Sequence, residues 1–295
     1  MSGALTTETL AGSPPLLAAD TRLGGVVLTV TDLDRSLDFY TRVIGLAVQR
    51  REETFATLGV GGEDIVTLHE DPRATAPGRD AGIYHFALLF PSREELARAA
   101  VRIANARAPI DGASDHGTHE AIYLPDPDGI GIELAADRPR EQWPANLYDD
   151  FLSHGPAPLD LHGLLASVTG EQPSERAAGG LRIGHVHLHV GELDAATRFY
   201  RDGLGFEVMG ELPSAVFVAA GGYHHHVAFN IWRGRGASPA RADAIGLRHW
   251  TLILDSDEDL AAIRGRLTAL GVAVDDRQDG VIAHDPSNIA VLIRR

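Results

Sequence analysis

The hydrophobic positions of this chain recur in a repeated pattern. LGGVVLTVTDLDRSLDFYTRVIGL begins at Leu23, and IGHVHLHVGELDAATRFYRDGLGF begins at Ile183. Each opens with β-branched and aliphatic residues that predict a short strand. A D/E-L-D turn follows, in which Asp34 or Asp194 is the expected N-cap. Apolar residues at helical spacing then end in Phe-Tyr and Leu-Gly, with the glycine as the stop signal. The two copies lie 160 residues apart, so the chain reads as two related halves.

Each half divides again. IYHFALLFPSREELARAAVRIANA from Ile83 and LRHWTLILDSDEDLAAIRGRLTAL from Leu247 both predict a strand, a Ser/Asp-rich helix start and an amphipathic helix. Each is followed by strands carrying an Asp-Pro turn, YLPDPDGIGIELA from Tyr123 and IAHDPSNIAVLI from Ile282. The pattern gives four βαβββ units over about 23–72, 81–136, 181–235 and 246–295. Residues 1–20 are expected to be a disordered tail. Residues 137–180, rich in Pro, Gly and His, read as a linker with a short helix around Leu159–Ala166. The expected domains are 21–136 and 181–295, two units each, in an α+β fold.

Composition narrows the function. A chain of 295 residues, 44% apolar and 23% charged, has the makeup of a soluble globular protein. It has no apolar run near the ~18 residues that cross a bilayer. Its first residues lack the basic start of a signal peptide. The absence of cysteine excludes disulfides, thiolate metal sites, iron–sulfur clusters and a cysteine nucleophile, and fits the cytoplasm. A net charge of −15 repels phosphate backbones, so neither nucleic acid nor membrane is an expected partner. The fourteen histidines are the informative feature.

The fourfold βαβββ pattern resembles the vicinal oxygen chelate superfamily over roughly 23–136 and 181–295. The resemblance implies paired units whose curled mixed sheets form cups around a metal. It also implies ligands near the start of a unit's first strand and in its last strand. The first-strand positions are Gly25, His85, His185 and His249. In the last strands the second unit has Glu133 and the fourth has Leu292. Neither half is complete by itself. Pairing the second unit with the third brings together His85, Glu133 and His185, two imidazoles and a carboxylate of the kind that binds Fe(II). The first and fourth units would then form a degenerate cup. Exchange of units between two copies of the chain would serve equally well, so a homo-oligomer stays open. His249 lacks an accompanying carboxylate and is not expected to be a ligand. His187 and His189 share a strand face with His185 and are expected to line the cavity or support it. His69, His154, His162 and His284 read as ordinary surface or core residues.

The stretch from His116 to Glu133, HGTHEAIYLPDPDGIGIE, closely resembles the signature of extradiol ring-cleaving dioxygenases. YHHHVAF from Tyr223 resembles the segment that carries that family's acid–base histidine, here His225. The closest resemblance is to two-domain, catechol-2,3-dioxygenase-like proteins. It implies Fe(II), with Mn(II) suiting the same ligands, bound by His85, His185 and Glu133. His225 is then the proton-transfer residue, and Tyr123 and His116 orient a small aromatic diol that reacts with O₂. The alternatives are a hydroquinone (para-diol) dioxygenase, a glyoxalase-type isomerase, which normally has two carboxylates at its metal, and a metal-free small-molecule-binding protein.

Overall fold

The computed structural model describes residues 17–145, 155–172 and 174–295. Most of the tail expected over 1–20, and His154, lie outside the described residues. The first unit contains β1 (Arg22–Val30), α1 (Leu33–Phe39), β2 (Ala47–Arg51), β3 (Phe55–Val60) and β4 (Glu63–Glu70). The second contains β5 (Gly82–Phe90), α2 (Arg93–Ala106), β6 (Gly112–Asp115), β7 (His119–Pro125) and β8 (Gly131–Asp137). The connecting segment contributes β9 (Ala157–Pro158) and α3 (Leu161–Ala166). The third unit has β10 (Arg182–His189), α4 (Leu193–Thr197), β11 (Glu207–Leu212), β12 (Ala215–Ala219) and β13 (Val227–Asn230). The fourth has β14 (Gly246–Ile253), α5 (Asp257–Ala269), β15 (Val274–Arg277), β16 (Gly280–His284) and β17 (Ala290–Arg294).

These strands form two mixed sheets, and each sheet takes one unit from each half. The eight-stranded sheet runs β15-β16-β17-β14-β1-β4-β3-β2 and joins the first and fourth units through antiparallel β1 and β14. The nine-stranded sheet runs β11-β12-β13-β10-β5-β8-β7-β6-β9 and joins the second and third through antiparallel β5 and β10. The crossed pairing therefore occurs within one chain.

Local chemistry explains the repeated motif. Asp32, not Asp34, caps α1: its extended backbone lets the carboxylate accept the Arg35 N–H at 2.9 Å. Asp34 lies in the first turn, where it pairs with Arg51. Asp194 likewise sits inside the first turn of α4, and Glu192 before it makes no side-chain cap bond. Both helices end in a π turn, closed by Gly45 (φ 93°) and Gly205 (φ 96°), where left-handed backbone favours glycine.

The tyrosine of each Phe-Tyr pair is fully buried and crosses to the next unit. Tyr40 donates to Asp126 Oδ2 at 3.2 Å, and Tyr200 donates to Asp285 Oδ2 at 3.1 Å. The other oxygen of each carboxylate accepts two N–H groups of its own Asp-Pro turn, from Asp128 and Ile130 or from Ser287 and Ile289. The two units of each half are thus tied through helices and turns while the sheets join units across the halves.

Burial gives this fold a defined response to acid. His116, His189, His226 and His249 are pushed down to about 4 and His224 to about 3, each first by loss of hydration. The unfolded chain, with histidines near ~6.5, binds protons better between these values. The associated stability is fully present above pH ~6.5 and is lost as pH falls towards 4. Asp126 and Asp285, raised to about 6 chiefly by burial, act in the opposite sense and cost stability as pH rises through that value. Five histidines at about 1–2 kcal/mol each between pH 7.5 and 5 outweigh two aspartates at about 1 kcal/mol each. Urea unfolding of the metal-free protein is expected to show a lower midpoint at pH 5 than at pH 7.5, corresponding to a loss of roughly several kcal/mol of stability. A midpoint that rises on acidification would contradict the burial of these imidazoles.

Candidate active site

The centre of the nine-stranded sheet, β10-β5-β8-β7, sets the site. Strand alternation turns His85 on β5, His185 on β10 and Glu133 on β8 to one face. In β8, Glu133 sits in register with Tyr123 of β7 and Ala87 of β5. Gly131, two residues earlier, is opposite His85; a Cβ there would lie 2.3 Å from the Tyr84 carbonyl oxygen. The strands can approach at this point only without that side chain.

Three donor atoms converge. His85 Nε2 and His185 Nε2 lie 3.2 Å apart, and each is 3.1 Å from Glu133 Oε2. All three residues are buried. Ligand atoms about 2.2 Å from one ion, at right angles about it, are separated by roughly 3.1 Å. Two imidazoles and a carboxylate in such a triangle fit a divalent metal with open positions. Protonation favours this use. Burial would raise the Glu133 carboxyl, but His185, His119 and His85 together hold it well below its usual range. Burial pushes His185 down despite the neighbouring carboxylate, so it is neutral near pH 7, as a metal ligand must be.

The other carboxylate oxygen, Glu133 Oε1, is 3.1 Å from His119 Nε2, whose Nδ1 is 2.8 Å from Thr118 Oγ1. His119 stacks between His116 (ring centroids 4.5 Å) and His224 (4.6 Å). His116 Nε2 is 2.8 Å from the Tyr123 hydroxyl. Tyr123 is raised above the ordinary tyrosine value by burial and then by Glu133, and so stays protonated. His225 lies against His185 at 4.3 Å between ring centroids, and its Nδ1 is 3.0 Å from His224 Nδ1. Burial, then His185, pushes His225 well below 6.5. His224 Nε2 faces Asp137 Oδ1 at 3.3 Å, and the Tyr223 hydroxyl donates to the same carboxylate.

His119, Asp137 and His224 form a second group with donor atoms within 4.8 Å of one another. Both nitrogens of His119 and of His224 already have protein partners, so this group supports the first. A cavity of about 290 Å³ opens onto all of these residues except Asp137 and Tyr223. Leu212 and Phe217 belong to its apolar lining, and Tyr84 and Trp232, in edge contact at 5.2 Å and partly exposed, form its rim.

The structure therefore brings together all six residues singled out in the sequence: His85, His185, Glu133, His116, Tyr123 and His225. His187 also lines the cavity. It accepts from Asn230 Nδ2 at 2.9 Å, and Asn230 Oδ1 is 2.8 Å from His189 Nδ1. His249 lies in the other sheet, paired with Val27. There, a Cβ on Gly25 would approach the backbone oxygens of Asp64 and Ile65 to 3.0 Å, so backbone occupies the space a ligand side chain would need. His69 stacks on Phe55, and His162 and His284 are exposed. Sequence reasoning missed His119, His224, Asp137, Tyr84 and Trp232. Alternation along β7 places His119 on the Tyr123 face and was the available signal.

The glyoxalase/bleomycin resistance protein/dioxygenase superfamily matches residues 22–134 and 182–284. The chain belongs to this superfamily. It is 40% identical over 272 residues to the catechol-2,3-dioxygenase of Bacillus subtilis (strain 168), covering 90% of this chain and 94% of that protein. It is 31% identical over 124 residues to the lactoylglutathione lyase of Neisseria meningitidis serogroup A, covering only 38% of this chain and 88% of that one. Glyoxalase I from Zea mays shares the fold, with a TM-score of 0.58 at 19% identity over 93% of this chain and 92% of that one. The extended match to one superfamily member makes this chain an enzyme of the dioxygenase type. Among the described residues no helix is long and apolar enough to cross a membrane.

Proposed function

We propose that the chain is an Fe(II)-dependent extradiol dioxygenase that opens a catechol-type aromatic diol with O₂. The observation that carries this reading is the convergence of His85, His185 and Glu133 on one point in a cavity that also holds His225, His116 and Tyr123. Fe(II) on those three ligands would bring diol and O₂ together and let electrons pass between partners whose direct reaction is spin-forbidden.

The chain's own groups supply positioning and proton transfer. In the tautomer with its proton on Nε2, His116 donates to the Tyr123 hydroxyl oxygen and leaves the hydroxyl proton to orient a diol oxygen. Asp137 accepts from His224 Nε2–H, which leaves His224 Nδ1 as an acceptor for His225 Nδ1–H. The remaining nitrogen of His225, Nε2, then carries a lone pair and can take the proton of a diol hydroxyl and return it later. Phe217 and Leu212 add apolar surface to the lining.

A glyoxalase-type site has less support, because Glu133 is the one carboxylate lining the cavity among the described residues. Loading the protein with Fe(II) under argon and then admitting O₂ with a panel of catechols and hydroquinones tests the proposal. The expected result is one O₂ consumed per catechol, a yellow ring-opened product, loss of activity on chelation and recovery with Fe(II); Mn(II) is expected to substitute at least in part. Turnover confined to hydroquinones would move the assignment to para-diols. Absence of O₂ uptake, with isomerisation of a thiol adduct of an α-ketoaldehyde, would overturn it.

A further inference from the structure

The charge of the cavity limits the substrate more narrowly than the ligand set does. No arginine is among the cavity's described lining residues, and Glu133 is its formal charge. The chain has no lysine at all; every one of its 26 cationic residues is an arginine, and the undescribed residues include none of them. Three arginines of the segments around the cavity are committed elsewhere. Arg233, beside His189, donates to the Asp80 carbonyl. Arg138 pairs with Asp115 and Glu120. Arg140 donates to the carbonyls of Gly221 and Gly222.

With its diol oxygens on the metal, a ring carboxylate is held away from that charge and would leave water with no cationic side chain to pair with. Removing a charge from water without a partner is strongly unfavourable. Part of the lining is apolar instead: Leu212 and Phe217 pack on Ala215 and Ala228, and Trp232 stands at the rim. Size points the same way. About 150 Å³ is enough for a benzene ring, so a cavity of about 290 Å³ has room for a ring and a substituent of comparable bulk.

We propose that the site takes a diol whose ring substituent is uncharged and apolar, an alkyl or aryl group lying against Leu212 and Phe217, and that it discriminates against a carboxyl group attached to the ring. The proposal rests on the dioxygenase reading above for the diol, and on the lining alone for the substituent.

Two readouts separate these parts. Binding to the Fe(II) protein under argon can be followed through tryptophan fluorescence, since Trp232 lines the cavity, and kcat/KM through O₂ uptake. The ligands are 4-methylcatechol, 3-phenylcatechol and 3,4-dihydroxybenzoate. The carboxylated diol is expected to bind and to turn over at least about 10²-fold less well than 4-methylcatechol. Leu212→Arg is expected to narrow that gap by about 10-fold or more, and a gap unchanged in a folded variant would overturn the charge argument. Affinities of the two ligands within about threefold in the unmodified protein would overturn the proposal while leaving the dioxygenase reading intact. Binding that discriminates as expected, with no O₂ uptake from any diol, would support the substituent preference and defeat the dioxygenase reading.

Discussion

Glu133→Ala is expected to abolish iron retention and, with it, turnover. Glu133 supplies the carboxylate of the donor triangle, and its Oε2 lies 3.1 Å from both His85 Nε2 and His185 Nε2. Without it, two neutral imidazoles face a cation with no anionic partner, and His119 loses the oxygen that fixes its ring. Losing an outer partner of a metal ligand already costs about 10–100-fold in affinity, and losing the ligand itself costs more. The measurement is iron content after loading and desalting. His249→Ala, in the other sheet, is the control and should retain iron as the parent does. Iron lost from His249→Ala but kept by Glu133→Ala would contradict the assignment of the metal to the nine-stranded sheet.

The second large effect is expected at His225. His225→Phe keeps a ring of similar shape next to Phe217, with ring centroids of the parent pair at 5.2 Å. Iron content and anaerobic substrate affinity should be close to those of the parent. Turnover should fall by about 10²–10⁴-fold, the usual contribution of a positioned proton-transfer group. Full activity in this variant would remove His225 from the mechanism. Weak substrate binding with unchanged kcat would make it a packing residue instead.

Much of the architecture was legible because it follows from short-range patterns. Helix starts at Ser92 and Ser256, with side chains that accept from Glu95 N and Asp259 N, follow from serine ahead of an amphipathic run. The glycines that close the helices of the first and third units, Gly45 and Gly205, follow from their need for left-handed backbone. The joining of the second and third units followed from a different argument, the counting of ligands: hydrophobic pattern alone does not say which first strand pairs with which, since β1, β5, β10 and β14 all carry apolar runs. The cap residue was misplaced by two positions because D-L-D offers two aspartates and only the extended one can cap.

The supporting residues were harder to read. His119 matters through Glu133, fourteen residues away, and through stacking on His224 from another unit. Asp137 and His224 meet only because the third unit folds against the second. Such roles depend on neighbours across strands, which no local window contains. Trp232 and Tyr84, from different units, likewise become the rim of a cavity only when β5 and β10 pair.

Ring opening with ¹⁸O₂ tests the account most directly. The Fe(II)-loaded protein is mixed with 4-methylcatechol under labelled oxygen, and the product is analysed at once by mass spectrometry. Both labelled atoms are expected in a single ring-opened product, cleaved beside the two hydroxyls, with one O₂ consumed per ring. A product that carries no label, or oxygen consumed only to give an unopened quinone, would contradict it.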